Sequence, residues 1–161
     1  MVSYAGMRFV GNTTPERSKV MSAVRSRRNR STELRLVSIL RAHRLFGWRR
    51  HLPILGCPDF TFRAQRTVIF VDGCFWHGCP TCYKSPCTNQ EFWVRKVSTN
   101  RARDRQVNAQ LRKQGWRVVR IWEHSLTDED RVVRRIRRAL KLPLDDQTMG
   151  SLKGTAATAH G

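Results

Sequence analysis

Acidic residues are scarce in this chain: 12 Asp and Glu stand against 31 Lys and Arg, a formal charge of +19 over 161 residues. Such an imbalance calls for a polyanionic partner. Long apolar runs are missing too. No stretch approaches the ~20 residues a spanning helix needs, and there is no lipidation signal, so nucleic acid is a better partner than a membrane. The first residues, MVSYAGMRFVGNTTPERSK, lack the charged, apolar, then small order of a secretory signal. The expected compartment is therefore a reducing cytoplasm, where clustered cysteines argue for metal before disulfide. Internal repeats are absent. What remains is one domain's worth of chain, with 40% hydrophobic residues to build one core.

Residues 1–13 lack periodicity and read as a flexible leader. Thr14-Pro15-Glu16 opens a short helix to about Arg25, and Ser31 or Thr32 caps a second helix with an apolar stripe from Leu34 to Leu40. Glu33 sits in its first turn, where the helix dipole favours a carboxylate, and is also a candidate active-site residue. Three strands follow, Phe46 to Arg50, Pro58 to Arg63 and Thr67 to Asp72. The last, TVIFVD, is apolar on both faces, as in a central strand. Asn89 caps a long helix from Gln90 to about Lys113, with Phe92, Val97, Val107 and Leu111 inward and Gly115 ending it. WRVVRIW, residues 116–122, is a fourth strand. Thr127 and Asp130 form a capping-box start for a last helix to about Leu140. Residues 143–161 read as a disordered tail. A strand-helix-strand crossover implies parallel pairing at the sheet centre, so the expected class is α/β, a mixed sheet flanked by helices.

Chemistry concentrates in FVDGCFWHGCPTC, residues 70–82. Cys74, Cys79 and Cys82 offer three thiolates, the last two at zinc-knuckle spacing, and a closed zinc site needs a fourth ligand. His124, emerging at the edge of a strand parallel to TVIFVD, is favoured over Cys87. Cys57 reads as a small buried residue. Asp59 enters one strand and Asp72 ends its neighbour; with strands roughly 5 Å apart, the two carboxylates are expected to meet around one divalent cation. His77 is then a candidate general base for hydrolytic cleavage of a phosphodiester, since histidine as a residue type exchanges its proton near neutral pH.

Pro58-Asp59-Phe60, VIFVDGCFWHGCPTC, Glu91-Phe92-Trp93 and GWRVVRIWEH together resemble the very-short-patch-repair (Vsr) endonucleases over about residues 14–126. The resemblance implies a restriction-endonuclease-like fold of the PD-(D/E)XK type, in one domain over residues 14–142. It implies an enzyme that nicks 5′ of the thymine in a T:G mismatch left by deamination of 5-methylcytosine. It implies Mg²⁺ on Asp59 and on the backbone carbonyl of Val71, His77 as general base, and structural Zn²⁺ on Cys74, Cys79, Cys82 and His124. Phe75, Trp76 and Trp93 correspond to the wedge that enters the duplex, and Met21 to a minor-groove contact. The partner is mismatched double-stranded DNA, bound by a monomer in the bacterial nucleoid, with a functional link to a DNA cytosine methyltransferase. Four departures from the family pattern stand out. Val71-Asp72 replaces Thr-His, Cys79 replaces a zinc-binding His, the spacing to Cys82 is one residue longer, and His124 replaces a zinc-binding Cys. Two rival classes share much of this: a zinc-containing nucleic-acid-binding module without catalysis, which needs neither Asp59, Asp72 nor His77, and a restriction-like nuclease acting on undamaged DNA.

Overall fold

The computed structural model describes residues 30–143. The leader, the helix expected over residues 14–25 with Met21, and the tail beyond Pro143 lie outside the described residues. Helix α1 spans Arg30–Ala42, followed by strands β1 (Trp48–Arg50), β2 (Phe60–Phe62) and β3 (Thr67–Asp72). Helix α2 (Gln90–Lys113) leads to β4 (Arg117–Trp122), a 3₁₀ turn (Glu123–Thr127) and helix α3 (Glu129–Leu140).

The sheet order is β1-β2-β3-β4. The first three strands form an antiparallel meander, and β4 joins β3 in parallel, in register from Thr67 opposite Arg117 to Asp72 opposite Trp122. Parallel neighbours need a long crossover, and α2 supplies it. Because side chains alternate along a strand, β3 divides its residues between the two sides of the sheet. Ile69 and Val71 join a core with Leu36, Ile39 and Leu40 of α1 and Val132, Val133 and Ile136 of α3. Val68 and Phe70 pack with Leu111, Val107 and Trp116 on the α2 side. The TVIFVD strand is central, as its composition requires.

Several local expectations fail at element ends. Arg30 is already helical, so Ser31 and Thr32 lie inside α1 and do not cap it. The cap of α3 is Asp128, whose carboxylate accepts from the Arg131 N–H at 3.0 Å; the Thr127–Asp130 reading was one residue out of register. Asn89 stands at the cap position of α2 but in a left-handed conformation with no side-chain cap bond. Phe92, expected inward, is 51% exposed, and Cys57 is exposed rather than buried. At the other end of α2, Gly115 (φ +79°) donates to the Arg112 carbonyl and the Trp116 N–H to that of Leu111. That pair of bonds needs a left-handed residue, which glycine supplies without strain.

Candidate functional site

Among the described residues, three groups of side chains place metal-type ligand atoms within 4.8 Å of one another: Cys74, Cys79, Cys82 and His124; Glu33, His51 and Asp59; and Asp72, His77 and Asp104. The first and third share the loop after β3, and the second is built from α1 and the segments beside β1 and β2.

The loop after β3 folds back on itself, the Cys79 N–H donating to the Cys74 carbonyl at 2.8 Å. The turn following β4 brings His124 over it, with Nδ1 3.2 Å from Cys74 Sγ and 3.5 Å from the sulfurs of Cys79 and Cys82. Tetrahedral zinc bonds of ~2.3 Å to sulfur and ~2.0 Å to nitrogen put neighbouring S and N atoms about 3.5 Å apart, so the four residues fit such an ion. The thiols' acidity agrees. Burial pushes the Cys79 thiol up, yet bonds from the Cys82 and Thr81 backbone and from the neighbouring thiols bring it below the ordinary value. Hydrogen bonding to Cys74 and Cys79 pushes Cys82 up to about 12. Without a cation, the three sulfurs cannot all carry charge. Cys87, the other candidate fourth ligand, is exposed and outside the group.

Helix α2 grips the same loop from the other side. Asn100 Nδ2 donates to the Trp76 carbonyl at 2.8 Å, Arg101 Nε to that of His77 at 3.2 Å, and Arg101 Nη2 to that of Gly78. A Cβ at Gly78 (φ +62°) would fall 2.4 Å from Val97 Cγ1, so only glycine permits this approach. Phe75, Trp76 and Trp93 gather above, with ring centroids 4.9 Å (Phe75–Trp93), 5.3 Å (Phe75–Trp76) and 5.9 Å (Trp76–Trp93) apart. None of the three belongs to either core cluster. Tyr83 and the exposed Phe92 extend the aromatic group.

Asp59 and Asp72 do not meet. The Val71 N–H donates to Asp59 Oδ2 at 2.7 Å, and the carboxylate groups with Glu33 of α1 and His51. Asp72 follows Val71, so its side chain points to the α2 side. There Arg120 takes both its oxygens, Nε to Oδ2 at 2.7 Å and Nη2 to Oδ1 at 2.9 Å. Asp72 thus falls in a different group from Asp59, and the expected sharing of one cation between the two is not what the geometry brings together.

Two residues that sequence reasoning missed complete these sites. Asp104 of α2 accepts from His77 Nδ1 at 2.6 Å and pairs with Arg120 at 3.0 Å. Burial alone would raise the Asp104 carboxyl, but the bond from His77 and the charges of His77, Arg120 and Arg103 outweigh it and hold it below its ordinary value. An ionised carboxylate only accepts, so Nδ1 carries a proton, and in the neutral imidazole Nε2 is the nitrogen with the lone pair. Arg120, in turn, would lose basicity by burial, and its bonds and charges from Asp72 and Asp104 raise it instead.

On the α1 side, His51 Nε2 lies 3.1 Å from Glu33 Oε2, and Arg50 donates to the same oxygen. Glu33 is 3% exposed. Its place in the first helical turn, which the sequence explains by the helix dipole, also delivers it to Asp59. Burial raises the Asp59 carboxyl to about 6, assisted by Glu33 and Asp72 and opposed by the Val71 N–H and His51. A half-buried carboxyl beside a buried second carboxylate fits a divalent cation.

The chain's residues 12–84 match the family model described as DNA mismatch endonuclease Vsr. It is 39% identical over 118 residues to the DNA mismatch endonuclease Vsr of Escherichia coli (strain K12), covering 72% of this chain and 74% of that one. To the type II nicking enzyme V.XorIIP of Xanthomonas oryzae pv. oryzae it is 38% identical over 132 residues, 79% of this chain and 94% of the relative. A shorter match, 49% over 67 residues, reaches the type II nicking enzyme V.NaeI of Lentzea aerocolonigenes and covers 42% of this chain and 40% of the relative. With the loop, the strand order and these relatives in agreement, the chain belongs to the DNA mismatch endonuclease Vsr family.

Proposed function

We propose that this protein is a strand-nicking DNA endonuclease that cuts 5′ of the thymine in a T:G mismatch, in a restriction-endonuclease-like arrangement that acts as a monomer on duplex DNA. The observation that carries the reading is the single loop at the end of β3. It holds the Cys74, Cys79 and Cys82 sulfurs around His124, presents Phe75 and Trp76, and delivers His77 beside Asp104.

Each part has a distinct task. Zinc on Cys74, Cys79, Cys82 and His124 would fix a loop that has no strand or helix of its own. Asp59, with the Val71 backbone, would hold Mg²⁺; such an ion polarises the scissile phosphate and stabilises charge on the leaving oxygen. His77, its Nδ1 proton held by Asp104, offers Nε2 to take a proton from the attacking water. Asp72 and Arg120 fix Asp104, which makes Asp72 a positioning residue. Phe75, Trp76 and Trp93 would press between base pairs, where unstacking costs a few kcal/mol and least at a mismatch. The charge of +19 supplies phosphate contacts on any duplex.

The test is a nicking assay on T:G duplexes in all flanking contexts, beside fully paired duplexes, with Mg²⁺ and with chelator. A Mg²⁺-dependent nick 5′ of the mismatched thymine supports the proposal. Equal cutting of paired DNA would make the protein a restriction-like nuclease, and binding without cutting a zinc-containing recognition module.

A further inference from the structure

Asp59 does not stand alone on the α1 side of the sheet. We infer that His51 is a nitrogen ligand of the same cation, with Glu33 as a second carboxylate, so that this centre takes Mn²⁺ in preference to Mg²⁺. The inference rests on the reading of Asp59 as a cation ligand.

Geometry favours one coordination sphere. In an octahedral ion with ligands at ~2.1 Å, adjacent ligand atoms are about 3 Å apart and opposite ones about 4.2 Å. His51 Nε2 and Glu33 Oε2 are 3.1 Å apart, and one ligand atom from each of Glu33, His51 and Asp59 falls within a 4.8 Å set. The donors arrive from three separate segments: the first turn of α1, the residue just after β1, and the entry to β2. His51 is held there at φ +50°, a backbone conformation that L residues seldom adopt, and such strain gathers at functional sites. Arg50 donates to Glu33, so one guanidinium charge faces the two carboxylates of Glu33 and Asp59.

Chemistry then sets the preference. Mg²⁺ is a hard ion that favours oxygen and gives up its waters reluctantly, whereas a first-row transition ion accepts imidazole readily. An oxygen-only site would show a smaller bias. The neighbouring Asp72–His77–Asp104 group differs, because Arg120 pairs with both of its carboxylates, whereas here Arg50 bonds Glu33 and Asp59 accepts from the Val71 N–H.

The experiment uses the full-length, zinc-loaded protein titrated with Mn²⁺, with and without competing Mg²⁺, and pulsed electron paramagnetic resonance to detect nitrogen bound to manganese. One Mn²⁺ per chain is expected to show a directly coordinated ¹⁴N and to be displaced by Mg²⁺ only at more than about tenfold higher concentration. In His51→Asn the nitrogen coupling should vanish and the preference for Mn²⁺ fall about tenfold. Asparagine is the right replacement because it tolerates positive φ and offers an amide oxygen. The wild-type spectrum needs no variant to be decisive: if Mn²⁺ binds, is lost in Asp59→Ala, and shows no nitrogen coupling, His51 is not a ligand although Asp59 is. Coupling that persists in His51→Asn overturns the assignment in the same way. Absence of any Asp59-dependent Mn²⁺ would remove the cation reading of Asp59 as well.

Discussion

The two sides of the sheet carry similar residues in opposite electrostatic states. On the α2 side, Asp72 and Asp104 are joined by Arg120 and His77, and every carboxylate has a short bond to a cationic or proton-donating partner. On the α1 side, Glu33 and Asp59 crowd together, and burial lifts Asp59 to about 6. One cluster is complete within the chain. The other is built so that an external cation lowers its energy. We read the first as the cluster that orients a base and the second, where Arg50 and His51 bond Glu33 and Asp59 has the Val71 N–H, as the proposed cation site.

The largest effect that tests this division is on chemistry. Asp59→Ala should abolish Mg²⁺-dependent nicking while leaving T:G duplex binding largely intact, because it removes the ion site and leaves the aromatic wedge. His77→Ala should slow nicking by roughly 10²–10⁴-fold if Nε2 takes the proton. Near-wild-type nicking by Asp59→Ala would erase the contrast between the two sides.

The next effect is on folding. Asp72 is 4% exposed and forked by Arg120, so Asp72→Ala leaves the half-buried guanidinium with Asp104 as its remaining carboxylate. Breaking such a pair costs about 3–5 kcal/mol, less here to the extent that water reaches Arg120. Urea denaturation of zinc-loaded protein without Mg²⁺ measures it. A change under 1 kcal/mol would mean that the α2 cluster is no more self-sufficient than its counterpart.

Damage recognition should respond more modestly. Trp76→Ala is expected to weaken T:G duplex binding by about ten- to a hundredfold, since base–aromatic stacking is worth about 1–3 kcal/mol. Affinity for paired duplex should hardly move, and the salt dependence, which counts phosphate contacts, should stay the same. Equal loss on both duplexes would make Trp76 a support for the loop rather than a probe of the stack.

How much of this was legible in the sequence follows from which contacts are local. TVIFVD and WRVVRIW announce buried strands by composition, and the thiols and His77 lie within one short stretch, so their loop could be read directly. Asp104, Asn100 and Arg101 sit in a run of polar residues on α2 that looks like any solvated helix face. Nothing in TNRARDRQ says which of its side chains turns toward His77. His51 is hidden for the same reason, reaching Glu33 only after β1 has paired with β2. The Asp59–Asp72 pairing failed because Asp59 stands just before β2 begins at Phe60, where its carboxylate turns to the Val71 N–H. Strand spacing was applied to a residue outside the strand.

The smallest effect tests the α1 side alone. With a carboxyl raised from 3.8 to about 6, the folded chain binds more protons than the unfolded chain between those values. Stability must therefore fall as pH rises through that window and level off above it, opposite to the usual paired carboxylate. Asp59→Asn removes the titration. In cation-free, zinc-loaded protein, the variant should match the wild type near pH 4 and exceed it above pH 7. Allowing for the partial exposure of the group, the gain is about 1–2 kcal/mol. Adding Mg²⁺ or Mn²⁺ should then stabilise only the wild type, by an amount that grows with ion concentration, and so narrow or reverse the difference. Denaturation curves at pH 4, 6 and 8 with and without the ion give the full comparison. If Asp59→Asn is no more stable than the wild type at pH 8, the carboxyl is already compensated from within the fold, and the α1 side is as complete as the α2 side.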